Sequence, residues 1–125
     1  MRSVSILTFD LSDNATGRAD LLAALLAPRY RVHVVGPRFG PARWQPTTSL
    51  GIETREVSGA RYPRFAGRLG PLARLADGDI LYASKPRATS FGVALRPVVL
   101  DIDDWELGFF LRSGARRWER ESAAW

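Results

Sequence analysis

Asp101-Ile102-Asp103-Asp104-Trp105-Glu106 holds four carboxylates in six positions, directly after the apolar Val98-Val99-Leu100. Like charges this close repel one another, and folding alone has no use for them at the end of a buried strand. If the strand persists, Asp101 and Asp103 project to one side and Asp104 to the other. Two chemistries suit such a set. One is magnesium-assisted attack on a phosphoester by an aspartyl nucleophile, centred on Asp101 and Asp103. The other is hydrogen bonding to sugar hydroxyls, with Trp105 stacking on a pyranose face. Asp103, Asp104 and Trp105 fit the second better, and a polar strand end with a helix cap is the plain alternative to both.

Two more segments could meet a ligand. Tyr82-Ala83-Ser84-Lys85-Pro86-Arg87-Ala88-Thr89-Ser90 carries the only lysine of the chain. Lys85 at a strand end, then Arg87 and a Pro-started helix, make either a phosphate-facing corner or a solvated loop. Asp10-Leu11-Ser12-Asp13-Asn14-Ala15-Thr16-Gly17-Arg18 opens a helix whose amides and dipole favour an anion. There Gly17 permits close backbone approach, and Asn14 and Thr16 offer hydrogen bonds. The same loop also reads as an ordinary capped helix with a tight turn. It is neither G-x-G-x-x-G nor G-x-x-x-x-G-K-[ST], so the dinucleotide and P-loop fingerprints are absent. His33, the sole histidine, lies mid-strand in an apolar run and reads as structural.

The elements that must position these segments follow from patterning. Val4 to Phe9 is a short apolar run that suits a buried strand. Ala19, Leu22, Ala23 and Leu26 recur at helical spacing over Ala15 to Ala27, with Asp13, Asn14 or Thr16 as cap and Pro28 as stop. Arg31 to Gly36 is a second strand closing on Gly36-Pro37, which completes a right-handed βαβ unit. Arg38 to Leu50 reads as a surface loop, and Ile52 to Val57 as a third strand. Phe65, Leu69, Leu72 and Ala76 suggest two short helical pieces, interrupted by Gly67, Gly70 and Pro71. Ile80 to Ala83 and Val98 to Leu100 complete the strands, with a brief helix from Thr89 to Leu95 between them. The fold class expected is α/β: a Rossmann-like open parallel sheet, helices on both faces, in one domain. Ligands of such sheets gather outside the carboxyl ends of the strands, where all three segments lie.

Composition narrows the field further. The 125 residues suit one domain with one core, and 46% hydrophobic with 25% charged residues is ordinary for a globular chain. With no cysteine there is neither a disulfide framework nor a thiolate metal site. No apolar run reaches the ~20 residues of a membrane-spanning helix, and Asp10 comes too early for a signal-peptide core. The net charge is +5, yet the arginines are scattered singly rather than clustered on a face. That argues against nucleic acid and for phosphorylated small molecules or anionic lipid.

Taken together and in order, Phe9 to Arg18, Leu81 to Pro86 and Val98 to Phe110 resemble the N-terminal domain of bacterial family 4 glycosyltransferases of the GT-B type. The likeness covers residues 3 to about 111, which implies a domain over 1–111 and a tail or connecting region over 112–125. It implies retaining transfer from a nucleotide-sugar co-substrate, with no cofactor and no metal. The first domain would take a sugar or lipid-linked acceptor, and its first loop, Asn14, Thr16, Gly17 and Arg18, would approach the donor diphosphate. Lys85 and Trp105 would line the sugar cleft. Relatives often carry His-Asp after the fifth strand; here Asp103 stands at the His position and Asp104 matches the Asp, the pair expected to act in catalysis. The donor-binding second domain is missing from these residues, so the chain is expected to be inactive alone, and a non-catalytic truncated binding module is an alternative reading. A cytoplasmic place follows, with peripheral contact to the inner membrane through Phe109, Phe110, Leu111 and the arginines after them. Asp101-Ile102-Asp103 is also similar to the D-x-D of haloacid-dehalogenase-like phosphatases. Those enzymes place it on their first core strand, with Thr or Val where Asp104 stands.

Overall fold

Ile6 and Leu7 are adjacent on one strand, both without solvent exposure, and they face opposite cores. That single fact makes β1 (Ser3–Leu7) an interior strand, covered on both sides. The computed structural model describes residues 1–58, 67–102 and 111–112. Within them β1 is followed by α1 (Ala15–Leu26), β2 (Arg31–Arg38), β3 (Glu53–Ser58), α2 (Leu69–Leu75), β4 (Ile80–Ser84) and β5 (Val98–Asp101). The five strands are parallel and ordered β3-β2-β1-β4-β5. This is a Rossmann-like α/β sheet: the chain builds outward from β1 through β2 and β3, then crosses to the other side for β4 and β5. The crossing leaves a crevice between the carboxyl ends of β1 and β4, where the strand order reverses.

Each face has its own core. Ala19 and Ala23 of α1 bury against Val4, Ile6, Leu11 and Val34, with Leu22, Leu26 and Tyr82 packed alongside. On the opposite face Leu72 of α2 meets Leu7, Val35, Leu81, Ala83 and Val93. Full burial of one such aliphatic side chain contributes about 1.5–3 kcal/mol, so these two clusters carry much of the stability.

Four local expectations shift. β2 continues through Gly36 and Pro37 to Arg38, because the Pro37 carbonyl points to the β1 side and accepts the Leu11 amide at 2.7 Å. The N–H that proline lacks would face that same side, where β1 has already turned away, so no ladder bond is lost. The surface loop after β2 contains a 3-10 turn, Gln45–Leu50, and the segment before β5 holds only the 3-10 turn Phe91–Val93. α2 runs through Gly70 and Pro71 without interruption. Pro71 is in the first turn, where the missing N–H has no intrahelical partner in any case. Among the described residues, no helix is long and apolar enough to cross a membrane. Phe65 of the expected first helical piece, Asp103, Asp104, Trp105, Glu106, Phe109, Phe110 and the tail after Arg112 lie outside the described residues.

Candidate functional site at the carboxyl edge of the sheet

The loop from β1 to α1 is organised by its own acids. Asp10 is buried, and its Oδ1 accepts the Ser12 amide at 2.9 Å, the Ser12 hydroxyl at 2.6 Å and the Phe39 amide at 3.2 Å. Thr16 is fully buried and its hydroxyl donates to the Asp10 carbonyl at 2.8 Å, so it braces the loop from inside. Asn14 stands at the N-cap of α1 without a side-chain bond, and the Asp13 carboxylate just before it accepts the Ala15 amide at 2.9 Å. The next two amides are also taken, Thr16 N–H by the Asp13 carbonyl and Gly17 N–H by the Asn14 carbonyl. The anion that the helix terminus attracts is thus already supplied by Asp13. A phosphate binding here would meet side chains, chiefly Asn14 and Arg18, before it met helix amides.

Gly17 has a packing role that its spacing does not reveal. Trp44 lies against it, and a Cβ at this position would come within 2.5 Å of the indole Cζ3. The segment carrying Trp44 straps across α1: Trp44 N–H donates to the Leu11 carbonyl at 2.9 Å, and the next anchor is Asp20. Asp20 is wholly buried and receives Arg43 Nη2 and the Thr47 hydroxyl, each at 2.5 Å. Sequence patterning misses this strap. The one available signal is an acid on the buried stripe of α1, between Thr16 and Ala23, which has to find a partner. Beside the strap runs a groove of about 490 Å³, lined by Asn14, Gly17, Arg18, three leucines of α1 (Leu21, Leu22 and Leu25), Trp44 and Tyr82. Its walls are mainly apolar, and Leu21 and Leu25 stand exposed along it.

The other two strand ends are tied to the first. Arg18 grips Asp101 with a two-pronged contact, Nε to Oδ2 at 2.9 Å and Nη2 to Oδ1 at 3.0 Å. This links the first turn of α1 to the end of β5 across the crevice. Thr89 donates to the Phe9 carbonyl at 2.8 Å, and the Arg87 guanidinium sits 4.6 Å from the centre of the Phe9 ring. Lys85 has a positive φ of 74°, where a side chain crowds its own backbone. That conformation lets its N–H reach the Asp101 carbonyl at 3.1 Å while its C=O accepts Arg87 N–H and the Ser90 hydroxyl. Asn14, Arg18, Lys85, Arg87 and Asp101 therefore share one edge. Lys85→Gly is expected to raise stability by about 0.5–1 kcal/mol, since glycine adopts this φ without strain but loses more entropy on folding. Urea denaturation measures it, and an unchanged or lower midpoint would mean the lysine side chain supports the turn.

At the opposite, amino edge, Ser5, His33 and Asp77 come together in the composition of a hydrolase triad. Their geometry is different. Ser5 Oγ at 2.7 Å and Asp77 Oδ1 at 3.5 Å both address Nε2, so no relay through the two ring nitrogens exists. Ser5 is also fully buried and holds the Gly78 amide. The carboxyl edge is therefore the candidate site. Set against known proteins, the chain matches no family model, no curated protein and no solved structure.

Proposed function

We propose that this chain is the acceptor-side domain of a GT-B-type, family 4-like retaining glycosyltransferase. The observation behind the reading is the convergence at one edge of the first loop, the Lys85 corner and the described end of β5, with Arg18 joined to Asp101 across the crevice. In this reading Arg18, Lys85 and Arg87 bring positive charge toward a donor diphosphate. Asn14 meets the diphosphate beside them, and the groove along α1 receives the sugar or lipid-linked acceptor. Asp103, Asp104 and Trp105, which follow Ile102 in the chain, bind the reacting sugar through hydrogen bonds and stacking. Transfer needs a second, donor-binding domain beyond these 125 residues. The location is cytoplasmic, with Phe109 to Leu111 and the neighbouring arginines touching a membrane surface.

Amide chemical shifts of the 125-residue chain, titrated with UDP-glucose, GDP-mannose and pyrophosphate, test this. Shifts centred on Asn14 to Arg18, Lys85 and Arg87 are expected, without sugar transfer. Turnover of a nucleotide sugar by the isolated chain, or no shift at that edge, would overturn the half-site reading. A magnesium-dependent phosphohydrolase using Asp101 has less support, because Arg18 occupies both its oxygens and β5 ends the strand order. Magnesium-dependent phosphoester hydrolysis abolished by Asp101→Asn would reverse that preference.

A further inference from the structure

His33 sits in mid-β2 opposite Ser5 of β1, its register partner, and both are buried. The Ser5 hydroxyl accepts the Gly78 amide at 2.8 Å and has its own proton left to donate. The acceptor in reach is Nε2 of a neutral ring, 2.7 Å away. With the Ser5 proton given to Nε2, the neutral ring carries its own proton on Nδ1. The ring thus helps hold the turn that enters β4 against β1. That turn is closely fitted: a Cβ on Gly78 would lie 2.5 Å from the Ser5 nitrogen.

Charged groups reach the ring from several elements. Arg55 of β3 donates to Asp77 at 2.7 Å and to Glu53 at 2.8 Å, tying β3 to the turn. Asp77 Oδ1 is also 3.5 Å from Nε2. Arg31 and Asp79 line the same cleft, with Asp79 held by the Ser3 amide and hydroxyl. From the β5 side, Arg96 donates to the Ala76 and Gly78 carbonyls.

We infer that His33 is an acid-operated latch on the turn from Ala76 to Asp79. When the ring takes a proton from solvent, Nε2 changes from acceptor of the Ser5 hydroxyl to donor toward Asp77. The Asp77 carboxylate is drawn from Arg55, Ser5 loses its acceptor, and the turn loosens from β1 and β3 together. Asp77 is well placed for the exchange. Although burial works the other way, the Arg55 hydrogen bond and charge hold its carboxyl below the usual range, so it is still ionised when His33 titrates. Burial, and then the Arg55 charge, lower the His33 pKa from its ordinary 6.5, with Asp77 and Glu53 opposing. Below 6.5 the unfolded chain binds a proton that the folded ring still refuses. The stability contributed by the neutral ring is complete above that value and is lost as pH falls toward the folded value. The latch opens at the acid end of this window.

Amide exchange and ring chemical shifts, followed together against pH, test the latch. Through the His33 titration the Gly78 amide should exchange about fivefold faster than intrinsic chemistry accounts for, the loss of one hydrogen bond. Ile6 and Val34 should stay protected. His33→Gln, which can accept from Ser5 but does not titrate, should abolish the step. Constant Gly78 protection through the titration would overturn the latch, as would simultaneous loss at Ile6 and Val34. Should His33→Gln not fold, Asp77→Asn provides the check, since removing the negative charge that favours the protonated ring moves the ring titration and the Gly78 step to lower pH. A Gly78 step that stays in place would refute the exchange.

Discussion

Asp20→Ala should destabilise the domain by about 3 kcal/mol, the low end of what breaking a buried ion pair costs. The low end applies because the Arg43 side chain keeps 18% of its exposure, whereas Asp20 keeps none. Truncation leaves the Arg43 guanidinium under the strap without its acceptor, and its Nε is already buried and unpaired. The Thr47 hydroxyl loses its partner in the same step. Asp20→Asn retains one acceptor for these donors, and about half the loss is expected from the smaller strength of a neutral hydrogen bond. Urea denaturation of both variants measures the difference. The strap should report it locally too, through faster exchange of the Trp44 amide that bonds to Leu11. An Asp20→Ala domain within about 1 kcal/mol of the parent would place the pair among weak surface contacts. The strap would then be held by packing alone.

This pair also shows where sequence reading ends. The sheet was legible because Val4 to Leu7, Arg31 to Val35 and Ile80 to Ala83 are apolar runs too short for helices, and the α1 stripe has helical spacing. Parallel order then follows from alternating strands and helices, and it places the first loop, Lys85 and Asp101 at one edge without side-chain detail. The direction in which individual groups turn was not legible. Thr16 looks equally able to face a ligand or the Asp10 carbonyl, and only the bend of the loop decides for the second. The helix terminus looks like an anion site until Asp13 is seen folded back on Ala15. The strap depends on contacts such as Asp20 with Arg43, between a helix and an aperiodic loop, and periodicity carries no information about those. The charged turn at the amino edge is similar, since β3 and β4 are not neighbours in the sheet and Arg55 meets Asp77 only through the path the chain takes past α2 into β4.

The meeting of Gly17 and Trp44 supplies a second large effect, and its sign depends on the partner. In a helix interior Gly→Ala ordinarily stabilises by up to about 1 kcal/mol. Here the new methyl would lie 2.5 Å from the indole Cζ3 and 3.0 Å from Cη2, so the ring must move. Trp44 has little freedom to yield, because its amide is bonded to Leu11 and the neighbouring Arg43 and Thr47 are fastened to Asp20. Overpacking of this kind costs about 1–3 kcal/mol, so Gly17→Ala should lose about 1–2 kcal/mol net. Trp44→Ala, which removes a partly buried aromatic, should lose about 2 kcal/mol, below the range for a fully buried ring. In the Trp44→Ala background the obstruction is gone, and Gly17→Ala should become stabilising by about 0.5 kcal/mol, its helix preference being all that remains. A double-mutant cycle by urea denaturation would then show a coupling of about 2 kcal/mol. Additive losses would mean that the indole shifts freely and that Gly17 is retained for another reason, such as the approach of a ligand. The same four proteins discriminate these roles at the groove. If the contact is structural, Trp44→Ala alone restores tolerance at position 17; if Gly17 must admit a ligand, alanine there weakens binding whether or not the ring is present.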